Sequence, residues 1–365
     1  MENRKGERKT IKLEEIAEIQ PPKPRHSAPK ILLWILISVT ILVGMGFFVI
    51  GPYMVNGSEK EVTFRIPKNA TIENVEDTLR KYFPENYSRK VLNLLALYDF
   101  DPVKRHGLYV LPKGATPFAT MRKLSRGGQT PVRLTINCFR SLPYLAQRMG
   151  LKMEFTPEEF LKQATDSAYL SKYGLSPEQA LSLFLDDTYE VYWTATPTEV
   201  LDKIGENYTN FWSPGKVEIA ADDLELTPAE VMTLASIVDD ETNQVLEKGK
   251  IGRLYINRLD KGMKLQADPT VRFALNNLDL KRVTNEHLKI DSPYNTYIYP
   301  GLPPGPLRTT SRRTVEEILN STPSTYLFMC ARPDFSGFHN FASTYEEHLV
   351  NAKAYQDALD ERDIH

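Results

Sequence analysis

The chain has 365 residues, with 45 lysines and arginines against 47 aspartates and glutamates, a formal net charge of −2. That length accommodates two or three domains with proper cores, and the near-neutral balance argues against a nucleic-acid partner, since phosphate binding shows as a basic surplus. There is no His-Glu-x-x-His, no Cys-x-x-Cys and no phosphate-cradling glycine loop, so neither a metal nor a nucleotide cofactor is implied.

Residues 1–30 read as a polar tail. It carries Arg4, Lys5, Arg8, Lys9, Lys12, Lys23, Arg25 and Lys30, and Pro21, Pro22, Pro24 and Pro29 make its last part extended. Residues 31–51 follow as a transmembrane helix. The stretch 31–50 is free of charge, and at about 1.5 Å per residue it reaches about 30 Å, the thickness of the bilayer's hydrocarbon core. No Ala-x-Ala site follows, which favours an uncleaved anchor over a signal peptide. No lysine or arginine appears after it until Lys60, so the positive-inside rule puts the tail in the cytoplasm and the large C-terminal part outside.

Beyond the anchor, Val62, Phe64 and Ile66 alternate with polar residues as a half-buried strand does. Helical patterns over 72–82 and 88–98, a strand over 107–111 and a helix over 117–124 complete a small module, taken as 60–128. A strand over 132–137 opens a larger domain, 132–358, with helical stretches at 142–149, 157–164, 177–181 and 198–212 and a last helix from Thr344 to Ala358. The fold class is therefore α+β. Cys138 and Cys330 both sit in apolar strings, which suits small buried core residues better than a disulfide, although an exported location permits one.

The chemistry centres on Glu241. Thr227-Pro228-Ala229-Glu230 reads as a capped helix start with a capping box, and Val231, Leu234, Val238 and Val245 recur beyond it as a buried stripe. Glu241 falls on that stripe, whereas Asp239 and Asp240 rotate toward a polar side with Ser236 and Asn243. Burial raises a carboxyl pKa, and a carboxylic acid that keeps its proton near neutrality can protonate a leaving group. The plain alternative is a buried glutamate paired with Arg253 or Arg258. Asp268 precedes Pro269 and Thr270 and reads first as a helix cap. Gln266, Asn295 and Tyr297 can hydrogen-bond sugar hydroxyls or amides, and His339 can either orient a reacting group or serve structure.

Several motifs surround that glutamate in order: Ser236-Ile237-Val238-Asp239-Asp240-Glu241-Thr242, Ile256-Asn257-Arg258-Leu259, Gly262 through Val271, Tyr294-Asn295-Thr296-Tyr297 and Gly301-Leu302-Pro303-Pro304-Gly305-Pro306. Over residues 62–352 the chain resembles the endolytic murein transglycosylase, or YceG-like, family. Phe184-Leu185-Asp186-Asp187-Thr188-Tyr189 is similar to the family's Phe-x-Pro-Asp-Thr-Tyr, with Asp186 where proline is usual and Ser182 where glycine is usual. Asp239 stands where the family's Glu-x-Glu-Thr has its first glutamate, and were that acid the essential one, Asp239 would take the role.

The resemblance implies a LysM-like fold for the small module, a YceG-like catalytic domain after it and Glu241 as catalytic acid, with Gln266, Asp268, Asn295, Tyr297 and His339 as substrate contacts. It implies a bacterial inner-membrane lyase without cofactor. Such an enzyme cuts the N-acetylmuramic acid–β-1,4–N-acetylglucosamine bond within nascent peptidoglycan strands beside their synthases, leaving 1,6-anhydro ends. Two readings stand beside it. One is a muramidase-type hydrolase pairing Glu241 with Asp239, Asp240 or Glu247. The other is a non-catalytic glycan-binding scaffold of cell-wall synthesis.

Overall fold

A computed structural model describes residues 28–55, 57–277, 280 and 282–362, so most of the basic tail lies outside the described residues. The first helix, α1 (Ala28–Met54), exposes Trp34, Phe47 and Phe48 together with nearly every aliphatic side chain between them. It is long and apolar enough to cross a membrane, and its apolar span is not covered by the other described residues.

The small module runs β1 (Val62–Ile66), α2 (Ile72–Tyr82), α3 (Glu85–Leu97), β2 (Gly107–Leu111) and α4 (Pro117–Ser125). Its two strands pair antiparallel, with Phe64 opposite Tyr109 and Ile66 opposite Gly107. The alternation works as read: Val62, Phe64 and Ile66 are buried, and Thr63 and Arg65 face out. Together with Leu79, Val91, Met121 and Leu124 they form a core of their own. Gly107 has φ +142°, and a Cβ there would lie 2.3 Å from the Gln129 side-chain oxygen, so no larger residue fits.

The larger part begins with β3 (Val132–Ile136), α5 (Leu142–Gly150), α6 (Pro157–Ala164) and α7 (Ser167–Leu170). It continues through β4 (Asp187–Val191), α8 (Pro197–Phe211), α9 (Pro214–Glu218), α10 (Pro228–Glu241), α11 (Val245–Asp260) and α12 (Asp268–Ala274). It ends with α13 (Arg312–Leu319), β5 (Phe328–Ala331), β6 (His339–Ala342) and α14 (Tyr345–Glu361). β3 pairs with β4 and β5 with β6, each antiparallel, giving separate two-stranded sheets among helices. Helix starts are written plainly in the chain. Thr116-Pro117, Thr156-Pro157, Thr196-Pro197 and Thr227-Pro228 each place a capping hydroxyl on the N3 amide and a proline where no N–H is needed.

The small module meets the larger part through Lys68 N–H to Glu154 Oε1 at 3.0 Å, the His106–Thr194 side-chain hydrogen bond at 2.9 Å and Arg65 over the Trp193 ring.

The helical stretch expected at 177–181 is present as a 3₁₀ helix, Pro177–Leu183. Other expectations need correction. Cys138 is exposed and Cys330 only half-buried, both as free thiols. Ile136 and Phe139 beside the first cysteine turn inward but Cys138 does not, because β3 ends at Ile136 and its alternation stops there. The helix expected to run past Glu241 to Val245 ends at Glu241, since Thr242 is extended at φ −146° and Val245 begins α11.

Candidate active site

α10 is the central helix of the larger part. From Val231 to Val238 every residue is buried, Ser236 included; Ser236 accepts the Leu307 N–H at 2.9 Å. The helix therefore has no polar side near its end, contrary to the stripe reading. A helix wrapped on all faces must find internal partners for each polar group it carries.

The three adjacent acids meet this demand differently. Asp239 accepts Lys248 Nζ at 2.5 Å, Thr310 Oγ1 at 2.8 Å, Thr314 Oγ1 at 2.5 Å and the Ser311 N–H at 3.2 Å. Asp240 lies between Arg140 at 2.6 Å and Arg308 at 2.8 Å. Glu241 makes no ion pair among the described residues. Its Oε1 accepts the Tyr255 hydroxyl at 2.7 Å, and Arg253 and Arg258 are spent elsewhere, on Ser321 and on the carbonyls of Lys264, Leu265 and Leu327.

Glu241 as a residue is only partly buried, yet its carboxyl is enclosed, and that desolvation pushes its pKa up to about 7. The Tyr255 hydrogen bond opposes the rise, the charges of Asp268 and Asp240 add to it, and Arg272 offsets part of it. What separates this acid from its neighbours is the lack of a cation, not its place on a helical stripe.

Facing it, Tyr255 stands on α11, and Arg258 one turn later fastens the 264–266 loop. Gln266 in that loop is exposed and takes a left-handed φ of +52°, with its N–H on the Thr296 carbonyl. Asp268 opens α12, but the cap position belongs to Ala267. The Asp268 carboxylate instead accepts the Tyr297 hydroxyl at 2.6 Å, which corrects the capping reading. Tyr297 is held well above its usual pKa, first by burial and then by that bond.

The remaining two expected contacts are occupied by structure. Asn295 is fully buried, with its amide donating to the Leu288 and Ile290 carbonyls and its oxygen accepting the Tyr297 N–H. All its polar capacity shapes the turn that presents Tyr297. His339, on β6, contacts Glu247 at 3.0 Å through its ring and 2.9 Å through its backbone N–H, joining the β5–β6 hairpin to the first turn of α11.

The geometry thus assembles Glu241, Tyr255, Asp268, Arg272 and Tyr297. Tyr255 and Arg272 escaped the sequence reading. Tyr255 had one usable signal, since a tyrosine among the apolar residues of a buried helix must place its hydroxyl on a partner. Among the described residues, no group of three or more His, Cys, Asp or Glu side chains is arranged to hold a metal ion.

The sequence model of the YceG-like family matches residues 64–354. An endolytic murein transglycosylase of Bacillus subtilis (strain 168) is 25% identical over 344 residues, spanning 88% of this chain and 93% of that protein. One of Streptococcus pneumoniae serotype 2 is 27% identical over 328 residues, spanning 80% of this chain but 58% of that longer protein. A crystal structure of a YceG-like protein from Listeria monocytogenes superimposes with a TM-score of 0.52 at 24% identity, covering 80% of this chain and 99% of that one, a likeness of fold.

Proposed function

The chain belongs to the YceG-like family, and from that premise we propose that it is a membrane-anchored endolytic lytic transglycosylase of peptidoglycan. One observation carries the reading: of three consecutive acids in a buried helix end, Glu241 alone has no ion-pair partner among the described residues and holds its proton to about pH 7. The relatives named endolytic murein transglycosylases supply the substrate class.

Glu241 protonates the glycosidic oxygen between N-acetylmuramic acid and N-acetylglucosamine, and the bond to muramoyl C1 breaks. The muramoyl C6 hydroxyl attacks C1 and closes the 1,6-anhydro ring. Its proton passes to the Glu241 carboxylate, so the acid is regenerated without water. Intramolecular attack of this kind has a large effective-molarity advantage. Gln266, Asp268 and Tyr297 flank the sugar, while Asn295 and His339 hold the surrounding loops. The acids that a hydrolase would enlist are otherwise engaged: Asp239 by Lys248, Asp240 by two arginines, Glu247 by His339.

Product analysis tests this directly. Digestion of glycan strands should yield internal fragments with 1,6-anhydro-muramoyl ends, and strands acetylated at muramoyl C6 should resist. Continued cleavage of acetylated strands to ordinary reducing ends would mean that water attacks. Asp268, whose charge reaches Glu241, would then be the group to activate it.

The small module is proposed as a LysM-like glycan-binding unit, and α1 as an inner-membrane anchor with the N-terminus in the cytoplasm and residues 60–358 outside, beside the peptidoglycan synthases. Protease added to spheroplasts should remove the exported part and spare an N-terminal tag. Loss of the tag with protection of the exported part would reverse the orientation.

A further inference from the structure

Among the described residues, Tyr255 is the one side chain that hydrogen-bonds the Glu241 carboxyl. Both it and the surrounding wall are buried: Tyr255 is 2% exposed, between Leu254 and Ile256 on α11, and its hydroxyl lies 2.7 Å from Glu241 Oε1. A phenol has a single proton to give. Given to Oε1, it makes that atom the carbonyl-like oxygen of the neutral acid, and the acid's own proton must then sit on Oε2. No other hydrogen bond to this carboxyl exists among the described residues.

We infer that Tyr255 is a positioning residue, which fixes Oε2 as the proton-donating oxygen of Glu241 and holds the carboxyl's acidity in its working range. This rests on the reading of Glu241 as the catalytic acid. The hydroxyl keeps its proton throughout. When Glu241 gives its proton from Oε2 to the glycosidic oxygen, the Tyr255 bond becomes charge-assisted and shorter, and it stabilises the carboxylate that must next accept the C6 hydroxyl proton. Groups facing the carboxyl from each packed element set the balance. Asp268 on α12 and Asp240 on α10 disfavour ionisation. Arg272 on α12 favours it, and Arg258 on α11 and Tyr297 in the neighbouring loop act on Tyr255. Tyr255 is the only one of these that bonds the carboxyl directly, so it alone can select one of the two oxygens.

Tyr255→Phe removes the hydroxyl and keeps the ring. Hydrogen bonds to charged groups have strengths that translate to about one pH unit or more. The Glu241 titration midpoint in the full-length protein, followed by ¹³C NMR of side-chain carboxyls and assigned by its absence in Glu241→Gln, should therefore rise by about one unit. The alkaline limb of the pH–rate profile should rise with it, and the plateau should fall. Site-specific 3-fluorotyrosine at position 255, a stronger donor, should move the midpoint down, and it keeps the test informative if the phenylalanine variant folds poorly. A midpoint unmoved by either change, with only the rate reduced, would show that Tyr255 merely fills space. Opposite midpoint shifts in a protein that cuts no glycan would uphold the Tyr255–Glu241 assignment and sink the lyase reading instead.

Discussion

Glu241→Gln should lower glycan cleavage by about 10²–10⁴-fold, the span expected for loss of a general acid, while the thermal midpoint near neutral pH does not fall below that of the parent. The amide preserves shape and can still accept the Tyr255 hydroxyl 2.7 Å away, but it has no acidic proton to deliver. The parent's rate should fall as pH rises through about 7, because the protonated carboxyl is the active form and burial sets its midpoint there. Rates measured on the same strands from pH 5 to pH 9 would trace that limb. Full activity in Glu241→Gln, with Asp239→Asn inactive but folded, would move the acid to Asp239.

Asp239→Ala should act through stability. Its carboxylate and Lys248 are both nearly buried, 6% and 13% exposed as side chains, and Thr310, Thr314 and the Ser311 N–H also converge on it. Removing one partner of a buried pair leaves the other charge without compensation, a loss of about 3–5 kcal/mol. Denaturant unfolding should show the midpoint falling by that equivalent. Adding Lys248→Met should recover part of the loss, since the stranded ammonium goes with it. A variant as stable as the parent would mean that Lys248 escapes to solvent when its partner is cut away.

The three consecutive acids Asp239, Asp240 and Glu241 mark where sequence reading succeeds and where it stops. The start of α10 follows from Thr227, Pro228 and Glu230 because a capping box is a contact between residues three apart, whereas its end at Glu241 does not. Strand β1 is legible because one face of its sheet is buried and the other wet. Strands β5 and β6 are not, since almost all their residues are half-buried and no alternation marks them. The partners of Asp240 lie 100 and 68 residues away, at Arg140 and Arg308, so no local pattern distinguishes a neutralised aspartate from a lone one. The same holds for Glu241, singled out by the sequence, whose lack of an ion-pair partner shows only once α11 and α12 are packed beside it. Asn295 was drawn toward the sugar by its chemistry alone; its burial under the Tyr297 turn is a property of the 288–297 loop as folded.

The burial of the Glu241 carboxyl without an ion-pair partner among the described residues also makes folding a proton-uptake reaction. In the unfolded chain this glutamate titrates near the ordinary glutamate value of 4.5, and in the folded chain near 7. Below the lower value both states hold the proton. Between the two, only the folded state does, so each step upward in pH draws the equilibrium toward the unfolded chain. The stabilisation from this group is thus complete below the unfolded pKa and is lost as pH rises through about 7. The enclosure that keeps a proton available for transfer makes the molecule easier to unfold in alkaline surroundings. Glu241→Gln, which takes up no proton, should flatten that part of the stability-versus-pH curve and outlast its parent above neutrality.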